Sequence, residues 1–153
     1  MATLTTIDLP DEAATAALGA ALAGLAAAGD VFRLEGDLGA GKTTLARGFI
    51  RAFDPAAAAP SPTFTLVETY EAPEFLVWHF DLYRLDKPED VWELGLEEAL
   101  DEGVVLMEWP ERIQGMLADG ALTVGLTITG ASRTAVIKGD PSWMGRLKMA
   151  GIE

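Results

Sequence analysis

The segment "GDLGAGKT", residues 36–43, stands between "VFRLE" (31–35) and "KTTLARGFIRAF" (42–53). The run before the glycines is apolar and branched, as a strand requires. The run after them sets Leu45, Phe49, Ile50 and Phe53 on one face, as a helix requires. The loop fits the pattern G-x-x-x-x-G-K-[ST] through Gly36, Gly41, Lys42 and Thr43. A plain strand–turn–helix junction would not need that pattern. A loop that wraps phosphate does. Glycines let successive backbone N–H groups face one anion, and the helix start adds further N–H groups with the positive end of its dipole. The expected phosphate contacts are Gly36, Asp37, Leu38, Gly39, Ala40, Gly41, Lys42, Thr43 and Thr44. In such a loop the lysine reaches the β- and γ-phosphates and the threonine hydroxyl ligates Mg²⁺.

A phosphate loop alone hydrolyses nothing; an acid must hold the metal at the end of an apolar strand. Two candidates are present. "FLVWHFD" ends at Asp81 and "VVLME" ends at Glu108. Strand alternation puts His79 with Asp81 on one face, and Leu106 with Glu108 on one face. Trp109, next along, is expected on the opposite face, in the core or against a partner. Trp78 and Trp92 read as core or interface residues. The chain has no cysteine and a single histidine, His79. Disulfides, thiolate catalysis and multi-histidine metal centres are therefore excluded, and any metal must take oxygen ligands, which favours Mg²⁺. No Asn-Lys-x-Asp segment of the kind that reads guanine is found, so ATP is the expected nucleotide. His79 reads either as a structural histidine or as a neighbour of the nucleotide. Arg84 reads either as half of a surface ion pair or as a group that neutralises transition-state charge.

The remaining pattern alternates helices with apolar strands, which argues for α/β layers around a sheet. "ATLTTIDL" (2–9) reads as a strand and 10–29 as an Ala-rich helix ended by Gly29. Gly19 and Gly24 within it predict close packing against a neighbour. "TFTLVETYE" (63–71) and "FLVWHFDLYRL" (75–85) read as a hairpin, and 121–130 with 133–139 as a closing one, so the sheet is expected to be mixed. Short helices are expected within 88–100, a helical turn at 110–117, and a helical tail. The 153 residues and the absence of a long linker predict one domain over 1–153. A net charge of −13 repels the phosphate backbone, so any nucleic acid should be met through another molecule. No basic residue precedes Arg33, and the Ala-rich helix is too short to span a bilayer, so a cytoplasmic location and no membrane are expected.

Four segments, "GDLGAGKTTLARGF" (36–49), "SPTFTLVE" (61–68), "HFDLYRL" (79–85) and "EWPE" (108–111), together resemble the TsaE (YjeE) family. The resemblance runs in order over nearly the whole chain. It implies a P-loop NTPase-like three-layer domain, with a mixed β-sheet of parallel core and antiparallel hairpins flanked by helices. It implies slow hydrolysis of ATP with Mg²⁺, in company with the TsaD–TsaB pair that transfers threonylcarbamoyl to a tRNA adenosine. It implies that tRNA is met only through those partners. Matched by position, Lys42, Glu108 and Asp81 would be catalytic, and Thr43, Asp81 and Glu108 would hold the metal, with Glu108 orienting the attacking water. Thr63 and Thr65 in "SPTFT" would sense the γ-phosphate, and Arg133 would touch the nucleotide. A small-molecule kinase and a nucleotide-sensing module without hydrolysis are the alternatives. A kinase would need a lid and a second substrate site, for which the chain has little room.

Overall fold

The computed structural model describes residues 2–117 and 119–152. Seven strands form one sheet in the order β1-β7-β6-β2-β5-β4-β3. They are β1 (Ala2–Leu9), β2 (Val31–Gly36), β3 (Val67–Glu71), β4 (Leu76–Asp81), β5 (Val104–Glu108), β6 (Leu122–Thr129) and β7 (Ser132–Gly139). The centre is parallel: β2 lies between β5 and β6, and β4 continues alongside β5. The flanks are antiparallel, through the hairpins β3–β4 and β6–β7 and the pairing of β1 with β7. The mixed sheet is as the sequence predicts.

Period-two alternation sends side chains to two cores. On one face Phe32, Leu34, Val77, Leu106, Val124 and Ile137 pack against α1 (Glu12–Leu25), α2 (Lys42–Arg51) and α4 (Trp143–Met149). On the other, Phe80, Val105 and Met107 pack against α3 (Leu96–Glu102) and the 3-10 segments Pro88–Leu94 and Pro110–Ile113. Three layers result. The central β5 is buried along its whole length, which its unbroken apolar run requires.

Helices α1 and α2 touch along two glycines. A Cβ on Gly19 would lie 2.1 Å from the Leu45 carbonyl oxygen, and one on Gly48 would lie 2.1 Å from that of Ala16. Each glycine admits the other helix's backbone. The prediction for Gly19 is met. Gly24 corrects its own: a Cβ there meets nothing within 4 Å, and the residue is exposed.

Two boundaries also differ from the sequence reading. Helix α1 starts at its Asp11 cap, whose carboxylate accepts the Ala14 N–H at 2.8 Å, but stops at Leu25 rather than Gly29. Asp30 takes the Ala27 N–H at 2.8 Å and turns the chain early. Strand β3 starts only at Val67. The Leu66 N–H bonds back to the Pro62 carbonyl at 2.7 Å, and Leu66 sits at φ 67°, so 62–66 is a turn despite its alternation. Strand β4 ends at Asp81, as the sequence predicts: Oδ1 of that residue accepts the Tyr83 N–H at 3.1 Å, an Asx-type turn.

Candidate active site

The loop from Gly36 to Gly41 joins the C-terminal end of β2 to the start of α2. Gly36 must be glycine on two counts: φ is 147°, and a Cβ would lie 2.7 Å from the Leu126 carbonyl oxygen. Gly41, at φ 108°, occupies the cap of α2 and offers no capping side chain. The first N–H groups of α2 therefore have no cap acceptor, the condition for an anion site. Ala40 is fully buried, whereas Asp37 and Leu38 project outward.

Lys42 is almost wholly buried. Its ammonium donates to the Gly36 carbonyl and sits 3.4 Å above the centroid of the Trp109 ring. Burial pulls its pKa below the ordinary lysine value, against the opposing pull of Glu108, Glu111, Asp81 and Asp37. The Thr43 hydroxyl donates to Glu108, 3.1 Å from Oε1 and 3.2 Å from Oε2. Asp81 and Glu108 are register partners on adjacent parallel strands, and both are buried. Asp81 Oδ2 accepts from the Ser61 hydroxyl at 2.6 Å, and Thr63 donates to Ser61 at 3.3 Å. Residues 61–63 are thus tied to the acid at the end of β4.

These groups line a cavity of about 440 Å³, with Leu38, Gly39, Gly41, Thr44, Tyr83, Arg84 and Trp109 completing its wall. A second cavity of about 460 Å³ lies beside Arg33, Ile113, Asp119 and Asp140. It lacks the 36–41 loop and a buried acid pair, its Asp119 and Asp140 both being exposed, so the first cavity is the candidate site. Thr43, Ser61, Asp81 and Glu108 present hard oxygen donors, the set that suits Mg²⁺. Among the described residues no three His, Asp or Glu side chains form a cage by themselves. That fits a metal held by few protein groups and completed by phosphates and water.

The description "Threonylcarbamoyl adenosine biosynthesis protein TsaE" belongs to a family model that matches residues 9–135. The chain belongs to the TsaE family. It is 46% identical to the TsaE of Rickettsia conorii over 98 residues, 63% of this chain and 56% of that protein. It is 39% identical to the TsaE of Bacillus subtilis over 123 residues, 79% of this chain and 75% of that one. The match thus spans just over half the length of the rickettsial relative. The crystal structure of Bacillus subtilis YdiB superposes with a TM-score of 0.80 at 27% identity, covering 96% of this chain and 93% of that one. The fold is therefore the P-loop NTPase-like three-layer one.

In this TsaE-family chain the expected residues meet unevenly. Lys42, Thr43, Thr44, Thr63, Asp81 and Glu108 converge on the cavity. Arg133 reaches the loop itself and donates to the Gly39 carbonyl at 3.3 Å. Thr65 is exposed and not among the cavity's lining residues, because the turn at 62–66 carries it outward. Trp109 meets its expectation in part: it packs, half-buried, against the core cluster of Phe80, Val105 and Met107. Its backbone turns left-handed at φ 58°, ψ 48°, so alternation ends at Glu108 and the ring swings onto Lys42 and Tyr83. Arg84 makes no surface ion pair among the described residues; its guanidinium lies 5.2 Å from the Phe64 ring, at the cavity wall. Sequence reasoning missed Ser61, although it stood beside the threonines that were singled out. Trp78 stacks on Phe80, and Trp92 is 44% exposed.

Proposed function

We propose that residues 1–153 form a single Mg²⁺-dependent ATPase domain that serves threonylcarbamoyladenosine formation in tRNA as an accessory factor of TsaD–TsaB. The observation that carries the ATPase reading is the meeting of Thr43, Asp81 and Glu108 at the mouth of the glycine loop. A binding module needs the loop; hydrolysis also needs paired acids. The family names of the relatives support the place in tRNA modification. The charge of −13 supports contact with tRNA through partners.

The loop amides and the start of α2 bind the phosphates of ATP. Lys42 leaves the Gly36 carbonyl and the Trp109 ring to neutralise the β- and γ-phosphates. Thr43, Asp81 and Glu108 would hold Mg²⁺, which would supply neutralisation of phosphate charge. Glu108 orients the attacking water. Thr63, tied through Ser61 to Asp81, reports the state of the γ-phosphate to residues 61–66. Arg133 braces the loop at Gly39.

The test is release of inorganic phosphate from ATP and Mg²⁺, with and without purified TsaD–TsaB. We expect slow release alone and faster release with the pair, and none from Lys42→Ala or Glu108→Gln. Bound but intact ATP in both conditions would leave a nucleotide-sensing module. A phosphorylated small molecule in place of inorganic phosphate would point to a kinase.

A further inference from the structure

His79 lies on β4, wholly buried, two residues before Asp81. Its register partner on β5 is Leu106, so Glu108 is its diagonal neighbour, one step closer to the cavity. Nε2 of the ring is 2.7 Å from Glu108 Oε2. The other ring nitrogen, Nδ1, is buried with no partner. A neutral imidazole carries one hydrogen, and which nitrogen holds it follows from the surroundings. An N–H at Nδ1 would be desolvated with nothing to accept it. An N–H at Nε2 meets a carboxylate. We infer that His79 keeps its hydrogen on Nε2, donates it to Glu108, and is the positioning residue that fixes the angle of that carboxylate.

Glu108 needs such a hold. It is the last residue of β5, and the backbone turns left-handed immediately after it. Its side chain is gripped from two sides. The Thr43 hydroxyl comes from α2, at the loop that binds and releases substrate. His79 comes from β4, inside the sheet and outside that loop. The first contact therefore changes with each turnover, whereas the second persists through it. A carboxylate freed from the second contact would rotate away from the water it orients. Losing an outer partner of this sort typically lowers activity roughly 10- to 100-fold. The catalytic meaning of the bond rests on the ATPase reading above; the bond itself does not.

The experiment has two arms. His79 is the single histidine of the chain, so long-range ¹H–¹⁵N correlation spectra of the full chain show one imidazole. We expect the Nε2–H tautomer without nucleotide, with that N–H shifted in Glu108→Gln. The Nδ1–H tautomer, or an N–H indifferent to Glu108→Gln, would overturn the inference. In the second arm, His79→Gln places an amide N–H near the ε position, and His79→Asn places one near the δ position, out of reach of Glu108. Phosphate release should fall roughly 10- to 100-fold in kcat for His79→Asn, with KM held within about threefold, while His79→Gln recovers most of the loss. Equal activity in the two variants would overturn the positioning role. No phosphate release from the unmodified protein would reject the ATPase reading alone, and the spectra would still decide the bond.

Discussion

The crossing of α1 and α2 makes a stability prediction in which one chemical change has opposite signs at two positions. Gly48→Ala puts a methyl 2.1 Å from the Ala16 carbonyl oxygen and 2.8 Å from the Ala16 carbonyl carbon. Every one of these contacts is backbone, so no side chain can rotate aside. Relief requires α1 and α2 to separate by roughly 1 Å, which strips close contacts along both helices. Overpacking of this kind costs about 1–3 kcal/mol, offset by the gain of up to about 1 kcal/mol that alanine brings to a helix interior. The net is a destabilisation of about 1–2 kcal/mol. Gly24→Ala, in the last turn of α1, shares part of that helical gain and meets nothing within 4 Å, so it should stabilise by up to about 0.5–1 kcal/mol. At about 2–4 °C per kcal/mol for a chain of this size, the two variants should melt roughly 3–12 °C apart. Urea denaturation with a common m-value, and thermal melts by circular dichroism, measure the gap. Because α2 carries Lys42 and Thr43 at its start, Gly48→Ala should also weaken nucleotide binding, which Gly24→Ala should leave alone. A Gly48→Ala protein as stable as Gly24→Ala would refute the close crossing.

Three further outcomes are expected. Lys42 has a lowered pKa in the folded chain, so over the range between that value and the ordinary 10.5 the unfolded chain binds more protons, and stability rises with pH. The melting temperature of the unsubstituted protein relative to Lys42→Met should therefore climb as pH rises toward 10.5; a constant difference would contradict the burial of the charge. Trp109→Phe should remove the tryptophan fluorescence response to ATP and Mg²⁺, since the Lys42 ammonium leaves that ring when it engages phosphate; an undiminished response in the variant would place the reporter elsewhere. Arg146→Ala should cost about 1–2 kcal/mol in urea denaturation, because Arg146 pairs with the partly buried Asp30, donates to the Leu25 carbonyl and covers the Trp143 ring. Phosphate release from this variant, measured below its melting range, should be unaltered.

What was legible in the sequence was what local chemistry determines. The glycine loop and its flanking strand and helix follow from spacing and periodicity. Asp81 and Glu108 were found because each ends an apolar strand, and the parallel register of β4 and β5 then sets them side by side. The errors arose where a neighbour distant in sequence decides the outcome. An Ala-rich helix looks alike on every side, so nothing distinguished Gly19, which receives a helix, from Gly24, which faces open space. Alternation placed Trp109 with the core it partly joins but not over Lys42, since no residue pattern announced a left-handed turn at a tryptophan. Residues 63–66 alternate like a strand but are held in a turn by the Leu66 bond to Pro62 and by the tie from Ser61 to Asp81. His79 stayed ambiguous because burial alone does not say whether a histidine is structural or tied to an acid.

The pairing of β1 with β7 bears on how the chain is made. Strand β1 is made before its sheet partner, β7, which comes last of the seven strands. At about 5–20 residues per second, roughly ten seconds pass on the ribosome before that partner exists. During this wait the strand is an open edge able to pair with other chains. Its threonines, at positions 3, 5 and 6, favour an extended strand but keep it polar, so such pairing would bury little apolar surface. Polar strands thus stand at both edges of the sheet, β1 and β3 (VETYE), around an apolar centre.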